Sequence, residues 1–215
     1  MPNRIESLAI RDVKIITPAR HNDARGSFCE TFNQRALKSA GINTNFVQDN
    51  SAVSILPGTV RGLHFQASPY AQGKLLRVIR GRIFDVAVDL RFDSATFGQW
   101  VGKEISADSA EQIWIPAGFA HGYCTLEPFT EVFYKVDEYY KPAAEGGILW
   151  DDPDLDIHWP EVRAEPIVSK KDRELPEFAQ WAATAVDILD SHRTLYYDHL
   201  NHTRHSALHL NRVAK

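Results

Sequence analysis

The sequence predicts a mainly β protein, folded as a jelly-roll barrel with a short helical segment near its C-terminal end. From residue 13 to residue 140, short runs of β-branched and aromatic residues are separated by Gly, Pro, Asn and Asp, which is typical of an all-β domain. Polar and charged residues recur on one face of several runs, as expected if the strands surround a lined cavity. The 215 residues, 44% of them hydrophobic, suit one domain with a sizeable core.

The predicted elements follow one another at short intervals. One helix is expected before residue 140, from Gln34 to Ala40. The predicted strands lie at residues 46–55, 59–66, 75–81, 82–91, 99–106, 112–116, 122–127 and 130–136.

The clearest hairpin spans residues 75–91, where Gly81 separates two hydrophobic runs. In its second strand one face carries four hydrophobic residues, and we expect that face to pack into the core. The opposite face carries two carboxylates, and we expect it to lie outside the core. The hydrophobic face is Phe84, Val86, Val88 and Leu90, and the other face is Ile83, Asp85, Ala87 and Asp89.

The C-terminal third changes character. Residues 141–160 are rich in Pro, Gly and Asp and predict an ordered loop, whereas residues 176–192 have helical hydrophobic spacing. We expect one domain over residues 1–190 and a separate tail over residues 191–215. The tail holds five of the nine histidines, and its four basic residues and one acidic residue give a formal charge of +3. His199, His202, His205 and His209 could bind a metal on one helical face, but a solvated or partner-contacting tail is the favoured interpretation.

Several classes of function are disfavoured by the sequence. A net charge of −4 and a pI of about 6.1 provide no positive field for nucleic acid. No hydrophobic stretch approaches the roughly 20 residues of a membrane span, and the first residues lack the apolar region of a secretory signal. We therefore expect a soluble, cytoplasmic protein in which Cys29 and Cys124 are reduced. Phosphate-binding glycine motifs and the G-x-S-x-G motif are missing from the sequence.

Two histidines are candidates for chemistry. Pro116 to His121 fits the P-x-G-x-x-H turn of cupin barrels, and His64 lies in the predicted strand that pairs with it in such barrels. Metal-binding cupins carry a second histidine two residues after the first, but this sequence has Gln66 there, so we expect neither a metal nor another cofactor.

A metal-free imidazole can act as a base near neutral pH, although His64 could also be a core residue. Arg61 and His64 are three residues apart and share a face only if Gly62 kinks or bulges the strand.

Eight ordered runs then resemble the dTDP-4-dehydrorhamnose 3,5-epimerase family and cover about residues 10–172. They are R-G-x-F-x-E-T-F-N (25–33), F-V-Q-D-N (46–50), R-G-L-H-F-Q (61–66), Q-G-K-L (72–75), F-D-V-A-V-D-L-R (84–91), T-F-G-Q-W-V-G (96–102), I-P-x-G-F-A-H-G (115–122) and F-Y-K-V-x-x-Y-Y (133–140). The resemblance implies a cupin-like jelly roll that is usually a homodimer. It also implies a nucleotide-sugar substrate, dTDP-4-keto-6-deoxyglucose.

The resemblance also implies a role for each matched residue. His64 matches the general base, Asp172 its acidic partner, and Tyr134 the proton donor on the other face of the sugar. The residues matched to substrate binding are Arg25, Glu30, Gln48, Asn50, Arg61, Lys74, His121, Tyr140, Glu145 and Lys171, with Tyr140 stacking on the thymine base. Asp85 is a second candidate to orient His64, with a purely structural role as an equal alternative.

The expected reaction follows from ketone chemistry. Carbons 3 and 5 of a 4-keto sugar both adjoin the carbonyl, so removing either proton gives an enolate that can be reprotonated on its other face. No redox cofactor is needed, because the electrons return to the same carbon. Alternatives are a single-position epimerase, a metal-dependent cupin oxygenase and a non-catalytic sugar-nucleotide binding protein. In the implied dimer, Arg25 and Glu30 act across the interface.

Overall fold

Two antiparallel sheets face each other and hold the core of the protein between them. The computed structural model describes residues 4–185. The strands are β1 Arg4–Ser7, β2 Lys14–Thr17, β3 Arg20–Asp23, β4 Gly26–Cys29, β5 Gln48–Ser54, β6 Thr59–Gln66, β7 Lys74–Arg80, β8 Arg82–Asp89, β9 Trp100–Ser106, β10 Gln112–Ile115, β11 Phe119–Thr125, β12 Thr130–Val136, β13 Glu145–Gly147 and β14 Ile167–Val168. Strands β3 and β4 form a separate hairpin. The predicted fold class, a mainly β jelly roll, is confirmed.

The first sheet has the strand order β1-β2-β10-β7-β12-β5, and the second has the order β13-β6-β11-β8-β9, with β14 paired in parallel to β6. The helices are α1 Gln34–Ser39, a 3-10 turn Pro142–Ala144 and α2 Lys170–Arg173.

Helix α1 lies where the sequence predicted it. The Asn33 side chain accepts hydrogen bonds from the backbone N–H groups of Arg35 and Ala36 and so caps the first turn. Leu37 of this helix packs with Leu75 and Trp114, which lie on the outer face of the first sheet. The helix therefore covers one side of the sandwich.

Both faces of β8 are buried, so the prediction that its carboxylate face lies outside the core is wrong. Ile83 and Ala87 belong to the core cluster between the sheets, so the face that carries Asp85 points inward. The opposite face is also buried: Val86 is fully inaccessible, and Phe84 packs edge-on against Trp159 at 6.2 Å between ring centroids. Alternation therefore predicted the two faces correctly but not that both are buried, which occurs because residues 148–160 cover the outer face.

Within the described residues, the chain divides into two units, with the boundary between Leu175 and Pro176. In the second unit, residues 178–185 are helical, in agreement with the helix predicted from residue 176. The rest of that predicted helix and the histidine-rich tail lie outside the described residues, and the boundary at residue 190 stays a prediction. Within residues 4–185, no helix has the length and apolar character needed to span a membrane.

Candidate active site

A cavity of about 450 Å³ lies between the inner faces of the two sheets. Six of the thirteen predicted site residues line it: Arg61, His64, Lys74, His121, Tyr134 and Asp172. The other lining residues are Ala52, Thr59, Val60, Tyr123, Ile167, Val168 and Ser169.

Strands β6, β11 and β8 of the second sheet form one wall of the cavity, and their register aligns its side chains. His64 of β6 pairs with His121 of β11, and one row further Arg61 pairs with Tyr123, which in turn pairs with Asp85 of β8. Directly paired residues share a face of a sheet. This wall therefore presents two imidazoles in one row and a guanidinium, a phenol and a carboxylate in the next.

The second wall is built in the same way from the other sheet. Tyr134 of β12 is paired with Asn50 on one side and Leu76 on the other. Two residues along the strand, Val136 is paired with Gln48 and Lys74. Strand pairing therefore places a phenol, an amine and two carboxamides on the face of this sheet that lies opposite His64.

Gly62 explains how Arg61 and His64 reach one cavity. The pairing of β6 with β11 shifts register between His121 and Tyr123, and Gly62 has a φ of +125°. A Cβ atom at this position would lie 2.6 Å from the Cα atom of Gly122. Only glycine suits this conformation and this close approach. The irregularity at Gly62 therefore meets the condition under which Arg61 and His64 share a face.

His64 is held by Asp172. Its Nε2 atom lies 2.8 Å from Asp172 Oδ1, while Asp172 Oδ2 accepts a hydrogen bond of 3.3 Å from the backbone N–H of Gly62. Asp172 is 5% exposed. The Ser169 side chain caps α2 by accepting from the backbone N–H of Asp172. The carboxylate therefore fixes the imidazole from a helix that follows β14.

Burial lowers the pKa of His64 below its usual value, and the hydrogen bond to Asp172 offsets only part of that decrease. An imidazole with a lowered pKa is neutral at pH 7, which is the form that accepts a proton.

Asp85 does not orient His64, which corrects that alternative. Its Oδ2 atom lies 2.9 Å from Nε2 of His121, and both side chains are buried. Asp85 Oδ1 has no hydrogen-bond partner among residues 4–185. The cavity therefore contains two separate imidazole–carboxylate pairs.

Lys74 lies beside these pairs. Its side chain is 9% exposed and donates a hydrogen bond of 3.3 Å to the backbone carbonyl of His64. Burial lowers the pKa of Lys74 to about 8, although the negative charges of Asp85 and Glu145 oppose that decrease. Lys74 therefore remains a cation at neutral pH, in surroundings where a cation interacts strongly with a negative charge.

Two phenols face the cavity. Burial raises the pKa of both Tyr134 and Tyr123, so both stay protonated at neutral pH. Neither hydroxyl has a hydrogen-bond partner within the part of the chain that the structure describes. Each phenol is therefore available to a bound molecule.

Polar residues around Tyr140 form a second group of predicted residues. The Tyr140 hydroxyl donates to Glu145 Oε2 at 2.9 Å, and Lys171 Nζ lies 2.7 Å from the same oxygen. The hydrogen bond from Lys171 is the main reason that the pKa of Glu145 is lowered. The backbone N–H of Tyr140 donates to Gln48, which in turn donates to Asn50.

Comparison with known proteins identifies the family of this chain. Residues 7–180 match the family model described as dTDP-4-dehydrorhamnose 3,5-epimerase. The chain belongs to the dTDP-4-dehydrorhamnose 3,5-epimerase family.

Individual members of the epimerase family are similar to this chain in sequence and structure. The dTDP-4-dehydrorhamnose 3,5-epimerase of Pseudomonas aeruginosa is 49% identical over 173 residues, 80% of this chain and 94% of that protein. The Bacillus anthracis enzyme, crystallised with TDP and PPi bound, is 48% identical with a TM-score of 0.79 and covers 82% of this chain and 99% of that one. A Legionella pneumophila 3,5-epimerase in complex with dTDP-4-keto-L-rhamnose is 43% identical with a TM-score of 0.77, over 81% and 92% of the two chains.

Arg25 and Glu30 do not reach the cavity of this epimerase-family chain. The hairpin of β3 and β4 is exposed, the Arg25 side chain is 90% accessible, and it pairs with Asp23 in the same hairpin. Glu30 accepts a hydrogen bond from Asn33 just before α1. The structure therefore brings eleven of the thirteen predicted residues to the cavity or to the polar group around Tyr140, and leaves these two apart.

Sequence reasoning missed some lining residues. Tyr123 is two residues after His121 in one strand, so strand alternation alone places both side chains on the same face. Ser54 accepts a hydrogen bond of 3.2 Å from Arg61 Nε and holds the guanidinium against β5. Only the folded structure reveals that contact, because β5 and β6 belong to different sheets.

Proposed function

We propose that this protein converts dTDP-4-dehydro-6-deoxy-D-glucose to dTDP-4-dehydro-L-rhamnose by epimerising carbons 3 and 5. The observation that carries the proposal is the pair of His64 and Asp172 on one wall of a cavity whose other wall presents Tyr134. The Legionella pneumophila relative, solved with dTDP-4-keto-L-rhamnose, supports the choice of substrate.

His64 acts as the base. Its neutral imidazole removes the proton from carbon 3 or carbon 5, and Asp172 then stabilises the imidazolium. Asp172 also keeps the ring in one orientation, since its other oxygen is fixed by the Gly62 backbone. The developing negative charge moves from the carbon to the ketone oxygen.

Lys74 and Tyr134 complete the inversion. The Lys74 ammonium stabilises the enolate oxygen, a contribution of a few kcal/mol in a buried site. The Tyr134 phenol stands on the other sheet and returns a proton to the opposite face of the carbon. Its raised pKa keeps that proton in place until the enolate forms.

The remaining predicted residues bind the nucleotide sugar. Arg61 and Lys171 offer positive charge to the diphosphate, and the Tyr140 ring, 52% exposed, is accessible to stack on the base. His121, Gln48 and Asn50 provide hydrogen bonds to the sugar, and Glu145 fixes Tyr140 and Lys171.

Proton exchange in deuterated water tests the reaction. Purified protein is incubated with dTDP-4-keto-6-deoxyglucose, and proton NMR follows the hydrogens on carbons 3 and 5. We expect both to be replaced by deuterium, with loss of exchange in His64→Ala and full exchange in His158→Ala, whose side chain is 79% exposed. Exchange at one carbon would identify a single-position epimerase, and exchange at neither would reject the proposal.

We also infer that the active protein is a homodimer in which the hairpin of β3 and β4 completes the neighbour's site. Phe28 of this hairpin is 70% exposed and Arg25 points to solvent, so both are free to contact another subunit. Mixing His64→Ala with Arg25→Ala tests this. If the sites are shared, random mixing restores about a quarter of wild-type activity, because half of the dimers are mixed and each has one intact site. No recovery would show that each chain uses its own Arg25.

We also infer that the reaction takes place in the cytoplasm. Cys29 and Cys124 are both free thiols in the structure, as expected in a reducing compartment. Localisation of a tagged protein by cell fractionation checks this.

A further inference from the structure

Two glutamine side chains, one from each sheet, hold three consecutive backbone residues beside the cavity. Gln66 of β6 donates to the carbonyl oxygen of Tyr139 at 3.2 Å and accepts from the backbone N–H of Lys141 at 2.7 Å. Between them, the N–H of Tyr140 donates to Gln48 of β5 at 3.1 Å. The backbone on both sides of Tyr140 is therefore fixed by side chains rather than by a strand ladder.

Gln66 uses its whole carboxamide in this way. Its second N–H donates to the carbonyl oxygen of Tyr70 at 2.7 Å, so both donors and the oxygen are engaged, and the residue is 6% exposed. Only a carboxamide offers two donors and an acceptor on one planar group. A buried group with these bonds is expensive to replace, because each lost partner leaves a backbone group unpaired.

The Tyr140 side chain has little other support. Its hydroxyl bonds to Glu145, but about half of the residue is exposed. The position of the ring therefore depends on the backbone that Gln66 and Gln48 hold. Gln66 itself does not line the cavity, although it is only two residues from His64 on the same strand.

We infer that Gln66 is a positioning residue that sets nucleotide affinity through Tyr140, while the neighbouring His64 carries out the chemistry. This inference rests on the proposed function, in which Tyr140 contacts the base. In metal-binding cupins this position holds a metal-ligating histidine. Here Gln66 instead connects the strand that carries the general base, His64, to the loop that binds the nucleotide.

The first test measures binding of dTDP alone by isothermal titration calorimetry. Gln66→Met is similar in size and neutral, and it loses all three hydrogen bonds. We expect it to bind dTDP about tenfold more weakly or worse, and KM for the nucleotide sugar to rise by a similar factor. We expect kcat to stay within about twofold and deuterium exchange to occur at both carbons, because His64 and Asp172 keep their contacts.

Gln34→Met is the matched control. Gln34 also donates to a backbone carbonyl, that of Thr44 at 2.5 Å, but it lies in α1, outside the cavity lining. We expect its dTDP affinity to equal that of the wild type. Gln66→Glu, which keeps the acceptor for Lys141 and loses the donors, is the second variant if Gln66→Met does not fold.

A double-mutant cycle with Tyr140→Ala shows whether Gln66 acts through that ring. If it does, Gln66→Met weakens dTDP binding much less in the Tyr140→Ala background than in the wild type. Equal losses in both backgrounds, unchanged affinity in Gln66→Met, or a fall in kcat as large as the rise in KM would each overturn the inference. If the wild type itself does not bind dTDP, the proposed function fails and not merely the role of Gln66.

Discussion

Lys74→Met should make the protein more stable and inactive at the same time. Folding lowers the pKa of Lys74 from 10.5 to about 8 because the ammonium group is buried. At about 1.36 kcal/mol for each pH unit, keeping Lys74 charged at pH 7 costs the folded state about 3 kcal/mol. Methionine removes that cost and loses one long hydrogen bond to His64, worth about 1 kcal/mol. We expect a net gain of about 2 kcal/mol.

The stability of the wild type should depend on pH, because the pKa of Lys74 differs between the folded and unfolded states. Between pH 8 and pH 10.5 the unfolded chain still binds a proton at Lys74 and the folded protein does not, so the stability of the wild type rises with pH over this window. Below pH 8 both states are protonated and the full cost is present. The advantage of Lys74→Met should therefore be largest at pH 7 and disappear by about pH 10.5.

Urea unfolding at pH 7, 9 and 10.5 measures this difference. Lys38→Met, which changes an exposed lysine in α1, should show no pH-dependent difference from the wild type. Turnover of Lys74→Met should fall about a hundredfold or more, because the enolate loses its cation. A variant that is less stable than the wild type at pH 7, or a stability difference that is the same at all three pH values, would refute the reasoning.

Four further outcomes are expected. Asp172→Asn removes the group that raises the pKa of His64, so the acid limb of the rate profile should move to lower pH and kcat should fall; an unmoved limb in a pH–rate measurement would contradict this. Gly62→Ala should reduce the free energy of unfolding by about 2 kcal/mol or more in urea titration, and Gly26→Ala, which also has a positive φ but open space around it, should cost less. Tyr123→Phe should leave the melting temperature unchanged and raise KM several-fold in steady-state kinetics, since the hydroxyl that it removes lines the cavity. Treatment with EDTA should leave deuterium exchange unchanged, whereas loss of exchange that added iron restores would favour a metal-dependent reaction.

Strand positions were predictable because alternation and turn residues are local properties. The predicted strands at 59–66 and 130–136 agree with β6 and β12 at both ends, and α1 ends one residue earlier than expected. The short strands before residue 30 and after residue 144 were not predicted, since runs of two to four residues carry too little periodicity. The burial of both faces of β8 was not predicted, because alternation does not reveal that a distant segment covers the outer face.

The candidate site was predictable only in part, for a related reason. Residue types and family motifs identified His64, Tyr134 and Asp172, but the partner of each carboxylate depends on contacts between distant segments. Asp172 reaches His64 from 108 residues away, whereas Asp85 reaches His121 across neighbouring strands. Arg25 lies away from the cavity because it belongs to an exposed hairpin, β3 and β4, which the sequence analysis did not predict. The sequence alone therefore predicts which side chains are candidates for the site, whereas the contacts between these side chains depend on the fold.

The inner surface of the sandwich explains how such groups can be buried. Along β7 the inward residues change from Lys74 to Leu76 and Val78, and along β8 they change from Asp85 to Ile83. The apolar ends of these strands form a packed core, and that core provides the free energy that offsets charged groups at the other ends. A lysine buried at a cost of about 3 kcal/mol is stable in this setting because the strand that carries it is anchored two residues later. The charged groups of the candidate site therefore lie on strands whose neighbouring residues belong to the packed core.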